Sequence, residues 1–324
     1  MLRLRDYQER LYNKITGAFT RVRVVLAVCP TGGGKTVVFS KLIHDWEEGN
    51  SLAVVHRKEI LGQISLSLAA LDVKHRVIAP PATVRRIRRR HVKKFGKSFI
   101  DDRASARCAV ASVQTLASKR GQSDPEIQRF VHQVRLGVFD EGHHYIRQGL
   151  WGRAVDMLDA AKVLFVTATP ERADGKGLHA SADGYVEEMV EGPTVAWLID
   201  QGYLSPFKYY CPQTDLDVEG IAVTASGDFN AQAMRKRVVD SHLIGDVVKQ
   251  CRQFATGKKA IVFSTDVESA TEQAAAFEAD GVSARMLCGS TDAGERDREL
   301  DEFETGSLEK LVNVDRDWET ACTA

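Results

Sequence analysis

Three glycines followed by Lys-Thr, Gly32-Gly33-Gly34-Lys35-Thr36, stand between two apolar runs. The run before is strand-like, Val24-Val25-Leu26-Ala27-Val28; the run after opens Val37-Val38-Phe39 and is helix-like. These residue types in this order suit a dense negative charge. Glycines let the chain curl so that successive backbone N–H groups face phosphate oxygens. The positive end of the following helix adds to that field. The stretch Thr31 to Thr36 is therefore a candidate phosphate-binding loop, with Lys35 reaching β- and γ-phosphates and the Thr36 hydroxyl holding Mg²⁺. One position departs from the strict G-x-x-x-x-G-K-[ST] pattern: Cys29 stands where the first glycine belongs.

About a hundred residues later, Leu136-Gly137-Val138-Phe139 runs into Asp140-Glu141-Gly142-His143. Paired carboxylates at a strand end complete the chemistry that the loop begins. Asp140 is expected to hold the metal, and Glu141 to orient the attacking water as general base. A third apolar strand, Val163-Leu164-Phe165-Val166, ends in Thr167-Ala168-Thr169-Pro170. Parallel strands present ligand groups at their carboxyl ends. Lys35, Asp140, Thr167 and Thr169 are thus expected on one rim of one sheet. Adjacent histidines such as His143 and His144 do not face one way in such a loop, so no zinc site is expected there.

The elements that must position these groups alternate. Tyr7, Leu11 and Ile15 recur at helical spacing. Strands are predicted at 22–28, 52–56, 107–111, 136–140 and 163–167, with room for crossover helices between them. This pattern predicts an α/β fold with mostly parallel sheets, covered on both faces. A first domain is placed at residues 1–200. A second, partial one at 205–324 has strands at 259–264, 283–287 and 309–314 and helices at 266–279 and 295–303. Residues 213–229 read as a loop. Three strands with no further neighbours leave an open apolar edge, which predicts a marginally stable second domain.

The chain has 324 residues, with 44 basic and 44 acidic side chains. The balance is neutral overall, yet residues 85–97 carry eight Arg or Lys, and no acid interrupts them before Asp101-Asp102. Charges on a solvated helix face usually alternate in sign. Unbroken like charge calls for a polyanion, so Arg86, Arg89, Arg90 and Lys93 are candidate phosphate-backbone contacts. Neutralising about five phosphates would give a salt slope of about −4 to −5. Backbone contact carries no sequence information. Six scattered cysteines form no C-x-x-C pair, which points away from zinc and disulfides and toward a cytoplasmic location. No apolar signal core or 18-residue apolar run occurs, so no membrane association is expected.

The series as a whole resembles superfamily 2 helicases and translocases of the DEAH-like kind. The matching residues are Leu4-Arg5-Asp6-Tyr7-Gln8, Cys29 to Thr36, Val54-Val55-His56-Arg57-Lys58-Glu59 and Ser112-Val113-Gln114-Thr115-Leu116. They continue with Asp140-Glu141-Gly142-His143, Thr167-Ala168-Thr169-Pro170 and Ile261-Val262-Phe263-Ser264. The segments Trp197 to Pro206 and Gly289 to Arg296 are similar to the RadD-like branch, itself similar to the motors of type III restriction enzymes. The resemblance implies two RecA-like domains with ATP bound between them. It implies that Gln8 reads adenine, that His56, Arg57, Gln114 and Thr115 touch nucleic acid, and that His143, Thr167 and Thr169 couple hydrolysis to movement.

Leu311-Val312-Asn313-Val314-Asp315 begins like motif V, but the family pattern then breaks off, and no Q-x-x-R-x-x-R run supplies an arginine finger. A C-terminally truncated frame is expected. The leading expectation is an ATP- and Mg²⁺-dependent nucleic-acid motor, a helicase or translocase. DNA rather than RNA is expected from the resemblance alone, with repair or restriction proteins as candidate partners. The alternative is an ATP- and DNA-binding module with little turnover, because an arginine finger contributes roughly 10³–10⁵ in rate. A small-molecule kinase would leave the basic run and the Thr167 strand without a use.

Overall fold

The computed structural model describes residues 3–103, 106–172, 175–211, 216–222, 230–241 and 243–314. The expected loop at 213–229 lies largely outside these residues, as does everything after Val314, including the break in motif V. The chain divides into two compact units, one ending at Pro206 and the other starting at Phe207.

The first unit opens with α1 (Asp6–Phe19), β1 (Val24–Val28), α2 (Lys35–Asp45), β2 (Asn50–Val55), α3 (Lys58–Ala70), β3 (Arg76–Ile78) and α4 (Pro81–Phe95). It continues with β4 (Cys108–Ser112), α5 (Val113–Leu116), α6 (Lys119–Ser123), α7 (Pro125–His132), β5 (Val134–Asp140), α8 (Gly152–Asp156), β6 (Lys162–Thr167), β7 (Glu188–Glu191) and α9 (Val195–Asp200). The seven strands are all parallel, in the order β3-β4-β2-β5-β6-β1-β7. Successive strand residues point to opposite faces. In β1, Val25 and Ala27 join α1, α2 and α3 in one core, while Val24 and Leu26 join α7 and α8 in the other. A strand buried on both faces must be apolar throughout. That is why β1 reads as an unbroken apolar run and β6 carries Val163-Leu164-Phe165-Val166 between Lys162 and Thr167.

Two strands lie beyond the predicted set. β3 has only three residues. β7, Glu188-Met189-Val190-Glu191, buries a single side chain, Val190, and sits at the sheet's edge beside β1.

The second unit contains α10 (Ala231–Asp240), α11 (Leu243–Ala255), β8 (Ala260–Phe263), α12 (Val267–Ala279), β9 (Ala284–Leu287), α13 (Ala293–Thr305) and β10 (Lys310–Asn313). Its three parallel strands run β8-β10-β9. Ala270, Ala274 and Phe277 of α12 pack with Val312 and Ala284 in one cluster. Phe303 of α13 packs with Leu287 and Leu311 in another. Asp266 and Asp292 cap the N-termini of α12 and α13 by accepting backbone N–H bonds, which satisfies donors that a helix leaves unpaired. Among the described residues no helix is long and apolar enough to cross a membrane.

Candidate active site

Strands β5, β6 and β1 are consecutive in the sheet, and each ends on the same rim. The loop after β1 folds back on itself: Gly33 N–H donates to Pro30 O at 3.0 Å, and Cys29 N–H donates to Thr167 O at 2.9 Å. Gly34 has φ +81° and forms the N-cap of α2. A Cβ there would stand 2.2 Å from Nε2 of Gln8, and one on Gly33 would stand 2.6 Å from Sγ of Cys29. The buried Gln8 is itself aligned by accepting the Arg5 N–H at 3.0 Å. Cys29, in the place of the pattern's first glycine, is therefore accommodated by the bareness of Gly33. Lys35 Nζ donates to Cys29 O at 3.1 Å, which holds the ammonium over the loop. Thr31 and Gly32 are exposed, and Thr36 lies in the first turn of α2.

Asp140 ends β5 and is buried. Glu141 follows at φ 53°, ψ 54°, a left-handed conformation uncommon outside glycine. Burial pushes its carboxyl above the ordinary glutamate value, opposed by the charges of Lys35 and Arg57. A single 3₁₀ turn, Gly142–His144, comes next. His143 Nδ1 lies 2.8 Å from Thr167 Oγ1 and 3.4 Å from Glu141 Oε2. Thr167, fully buried, donates to Thr169 O at 3.0 Å and accepts the Thr169 N–H at 3.2 Å. His143, Thr167 and Thr169 thus form one hydrogen-bonded string beside the carboxylates. The donor set of Thr36 and Asp140 is all oxygen, which suits Mg²⁺, and a Cβ on any of the three glycines would meet a neighbouring side chain within 2.6 Å.

The loop after β2 carries His56 and Arg57. Arg57 Nε donates to His56 Nε2 at 2.9 Å, and Gln114 Nε2 donates to His56 O at 2.7 Å. These bonds bring together His56, Arg57 and Gln114, from the ends of two neighbouring strands. Thr115 is tied locally, its N–H donating to Ser112 Oγ at 3.2 Å. His56 is held neutral, its pKa pushed down to about 4 by burial and by the charges of Arg57, His144 and His143.

The family model described as type III restriction enzyme, res subunit, matches residues 1–172. The chain belongs to this family. Among curated proteins it is 28% identical to the putative ATP-dependent helicase IRC3 of Saccharomyces cerevisiae, over 96% of this chain and 44% of that protein. It is 28% identical to a 51.5 kDa protein of a Lactococcus phage, over 88% of this chain and 54% of that protein. The chain therefore spans about half the length of the curated relatives it matches. The helicase domain of Pyrococcus furiosus Hef shares the fold, with a TM-score of 0.54 at 16% identity, over 98% of this chain and 87% of that one. The mostly parallel seven-stranded sheet thus matches the RecA-like fold of helicase domains.

In this family member the basic run forms α4. Arg85, Arg89 and Lys93 recur every fourth residue, all exposed. Arg88 is paired with Asp102 at 2.8 Å, and Lys97 with Asp72 at 3.8 Å. Arg86 is half-buried, and Arg90 is exposed but reaches back toward Gly62 of α3. The eight cations are therefore not equivalent, which the sequence alone does not reveal. Beneath them runs a buried relay. Phe99 N–H donates to His91 Nδ1 at 3.2 Å, so a neutral His91 carries its proton on Nε2, 3.0 Å from Ser65 Oγ. Ser65 Oγ then donates to His75 Nε2 at 2.7 Å, and His75 Nδ1 donates to Val73 O at 2.9 Å. Each group has one role, and the relay pins α4 to α3.

Two contacts at the site had no signal in the sequence. Leu204 packs over the loop after β1, its Cδ2 standing 2.6 Å from where a Cβ on Gly32 would lie. Trp151 stacks among His56, His144 and Tyr145. Both residues read locally as ordinary apolar positions, and only the tertiary fold brings them to the rim.

Proposed function

We propose that this chain is an ATP-driven motor acting on DNA, with Lys35, Thr36, Asp140 and Glu141 as its hydrolytic centre. Mg²⁺ would supply charge neutralisation at the phosphates. Thr36 and Asp140 hold it. Gly32, Gly33 and Gly34 offer backbone N–H groups to the β- and γ-phosphates, and Lys35 leaves the Cys29 carbonyl to pair with them. Gln8 reads the adenine. Glu141 accepts a proton from the water that attacks the γ-phosphorus, and its desolvation makes it a better base than an exposed glutamate. His143 reports the state of Glu141 to Thr167 and Thr169. His56, Arg57, Gln114 and Thr115, with Arg89 and Lys93 on α4 and lesser parts for Arg86 and Arg90, meet the nucleic-acid backbone. The choice of DNA follows the restriction-enzyme family.

The observation that carries this reading is the convergence of Lys35, Asp140, Glu141 and the His143–Thr167 pair on the ends of three consecutive strands. ATP hydrolysis by the whole chain, with and without single- and double-stranded DNA, tests it. Stimulated turnover is expected, lost in Lys35→Ala. Glu141→Gln should retain ATP binding while turnover falls by about 10²–10⁴, the usual worth of a general base. Normal turnover in Glu141→Gln would remove Glu141 from the chemistry. Equal turnover with and without DNA would remove the motor reading.

A further inference from the structure

We propose that Trp151 is a positioning residue that couples nucleic-acid engagement at the His56–Arg57 loop to the pose of Glu141; this rests on the reading of that loop and of Glu141 given above. Trp151 belongs to none of the sequence motifs. Its indole lies 5.1 Å from the His56 ring, tilted by 30°, and 4.9 Å from the His144 ring, nearly edge-on at 72°. His56 and His144 also touch each other, with centroids 5.9 Å apart. The indole therefore bridges the loop after β2 to the turn after β5.

That turn is short and read from both sides. Gly142–His144 is one 3₁₀ turn directly after Glu141. His143 faces Thr167 and Glu141, while His144 faces Trp151. A side chain at Gly142 would meet Cβ of Phe165 at 2.7 Å, so the turn is seated against β6 with no slack. Glu141 holds a left-handed backbone conformation that persists only where its surroundings enforce it. A push on His144 therefore has few outlets other than rotation at Glu141 and a change in the His143–Thr167 bond.

Trp151 can transmit such a push because its own backbone is fixed. Gly149 N–H donates to Ile146 O at 3.1 Å, and Gly152 O accepts the Tyr185 hydroxyl at 3.1 Å. A Cβ on Gly152 would stand 2.2 Å from Ile146 O, so the 146–152 loop is folded tightly on itself. On the other side, Gln114 and Arg57 both bond to His56. A backbone phosphate that drew Arg57 away would free the His56 ring and shift the indole. Coupling of this kind requires contiguous groups with two arrangements that both sites bias.

The test is turnover of the whole chain, with kcat and KM for ATP measured with and without DNA, beside DNA binding by fluorescence anisotropy. Trp151→Ala should keep DNA-free turnover and DNA affinity near wild type, while stimulation of kcat by DNA falls by about fivefold or more, the lower end of typical coupling between sites. Trp151→Phe, which keeps a ring in the stack, should restore most of the stimulation. Trp151→Leu, which fills the space without a ring, should behave like Trp151→Ala and serves if that variant does not fold. Unchanged stimulation in Trp151→Leu would overturn the proposal. Loss of DNA-free turnover in step with the stimulated rate would overturn it too, by showing a merely structural role. Wild-type protein without stimulation would instead overturn the motor reading itself and the coupling with it.

Discussion

Two parallel sheets lie among the described residues, and their strands are hidden to different degrees. In the first unit every residue of β2 is buried, and β5 and β6 are buried but for one residue each. In the second, β10 is buried throughout, yet no residue of its neighbour β8 is, and Phe263 at the end of β8 is 56% exposed. The connectivity is the same βα alternation in both. The difference comes from neighbours: β2, β5 and β6 each have a strand on either side and a core on either face, whereas β8 is an edge strand over small clusters. A parallel sheet gains cohesion when its central strands outnumber its edges. The first unit is accordingly the better platform for groups that must be held to within fractions of an ångström, and the candidate hydrolytic residues all stand on it.

The largest expected effect that could break this contrast is on folding itself. Phe139 and Phe277 are both fully buried, one in each unit. Truncation of a buried Phe to Ala costs about 3–5 kcal/mol. We expect Phe277→Ala to unfold the second unit while the first keeps its protected amides, and Phe139→Ala to leave a weakened but folded first unit. Hydrogen exchange read strand by strand decides it. Slow exchange in β8, β9 and β10 of Phe277→Ala, matching β5, would show that the smaller sheet is as cohesive as the larger.

A second effect acts on the first unit through acid. His75 is fully buried, and burial pushes its pKa down to about 4 from the ordinary 6.5, with the His91 charge adding to the drop. The unfolded chain then binds a proton that the folded chain refuses, so stability is present above pH 6.5 and falls as the pH drops toward 4. The loss at pH 4 is about 3 kcal/mol from this one group. Acid should therefore narrow the gap between the units. Denaturant melts of the first unit between pH 7 and pH 4 measure it, and replacing His75 with Asn should flatten the slope. An unchanged slope would assign the acid sensitivity elsewhere.

What was legible beforehand follows the same physics. β1, β2, β4, β5 and β6 announce themselves by the apolar runs that burial on both faces favours, and the strands of the second unit by shorter apolar runs, even though no residue of β8 is buried. β7 does not, because an edge strand with one buried residue has no pattern to show. The glycine loop before α2 and the carboxylate pair after β5 stood out because backbone curvature and charge impose residue types at fixed spacing. The seating of Gln8 against Gly34, of Leu204 over Gly32 and of Trp151 between His56 and His144 was not. Such contacts join residues tens of positions apart, and nothing local constrains them. The basic run was visible as charge, but its division into paired and outward-facing cations needed the partners Asp72 and Asp102.

That division gives the smallest and sharpest prediction. If the first unit is a rigid platform, charges on its surface can be removed without cost to its fold. Arg85, Arg89 and Lys93 form an exposed row along α4, and among the described residues none pairs with a carboxylate. Each phosphate neutralised contributes about −0.9 to the slope of log K against log salt. The row alone then supplies a slope near about −3, less than the −4 to −5 expected when about five cations of the run each neutralise a phosphate. Arg89→Ala and Lys93→Ala should each flatten the slope by about 1 and weaken DNA of any sequence alike. Arg88→Ala should change it less, because that guanidinium already has Asp102. None of the three should shift the unfolding of the first unit by more than about 0.5 kcal/mol. Equal slopes for Arg88→Ala and Arg89→Ala would mean that the ion pair to Asp102 opens on binding, and that the row is no more than a convenient description of a uniformly basic helix.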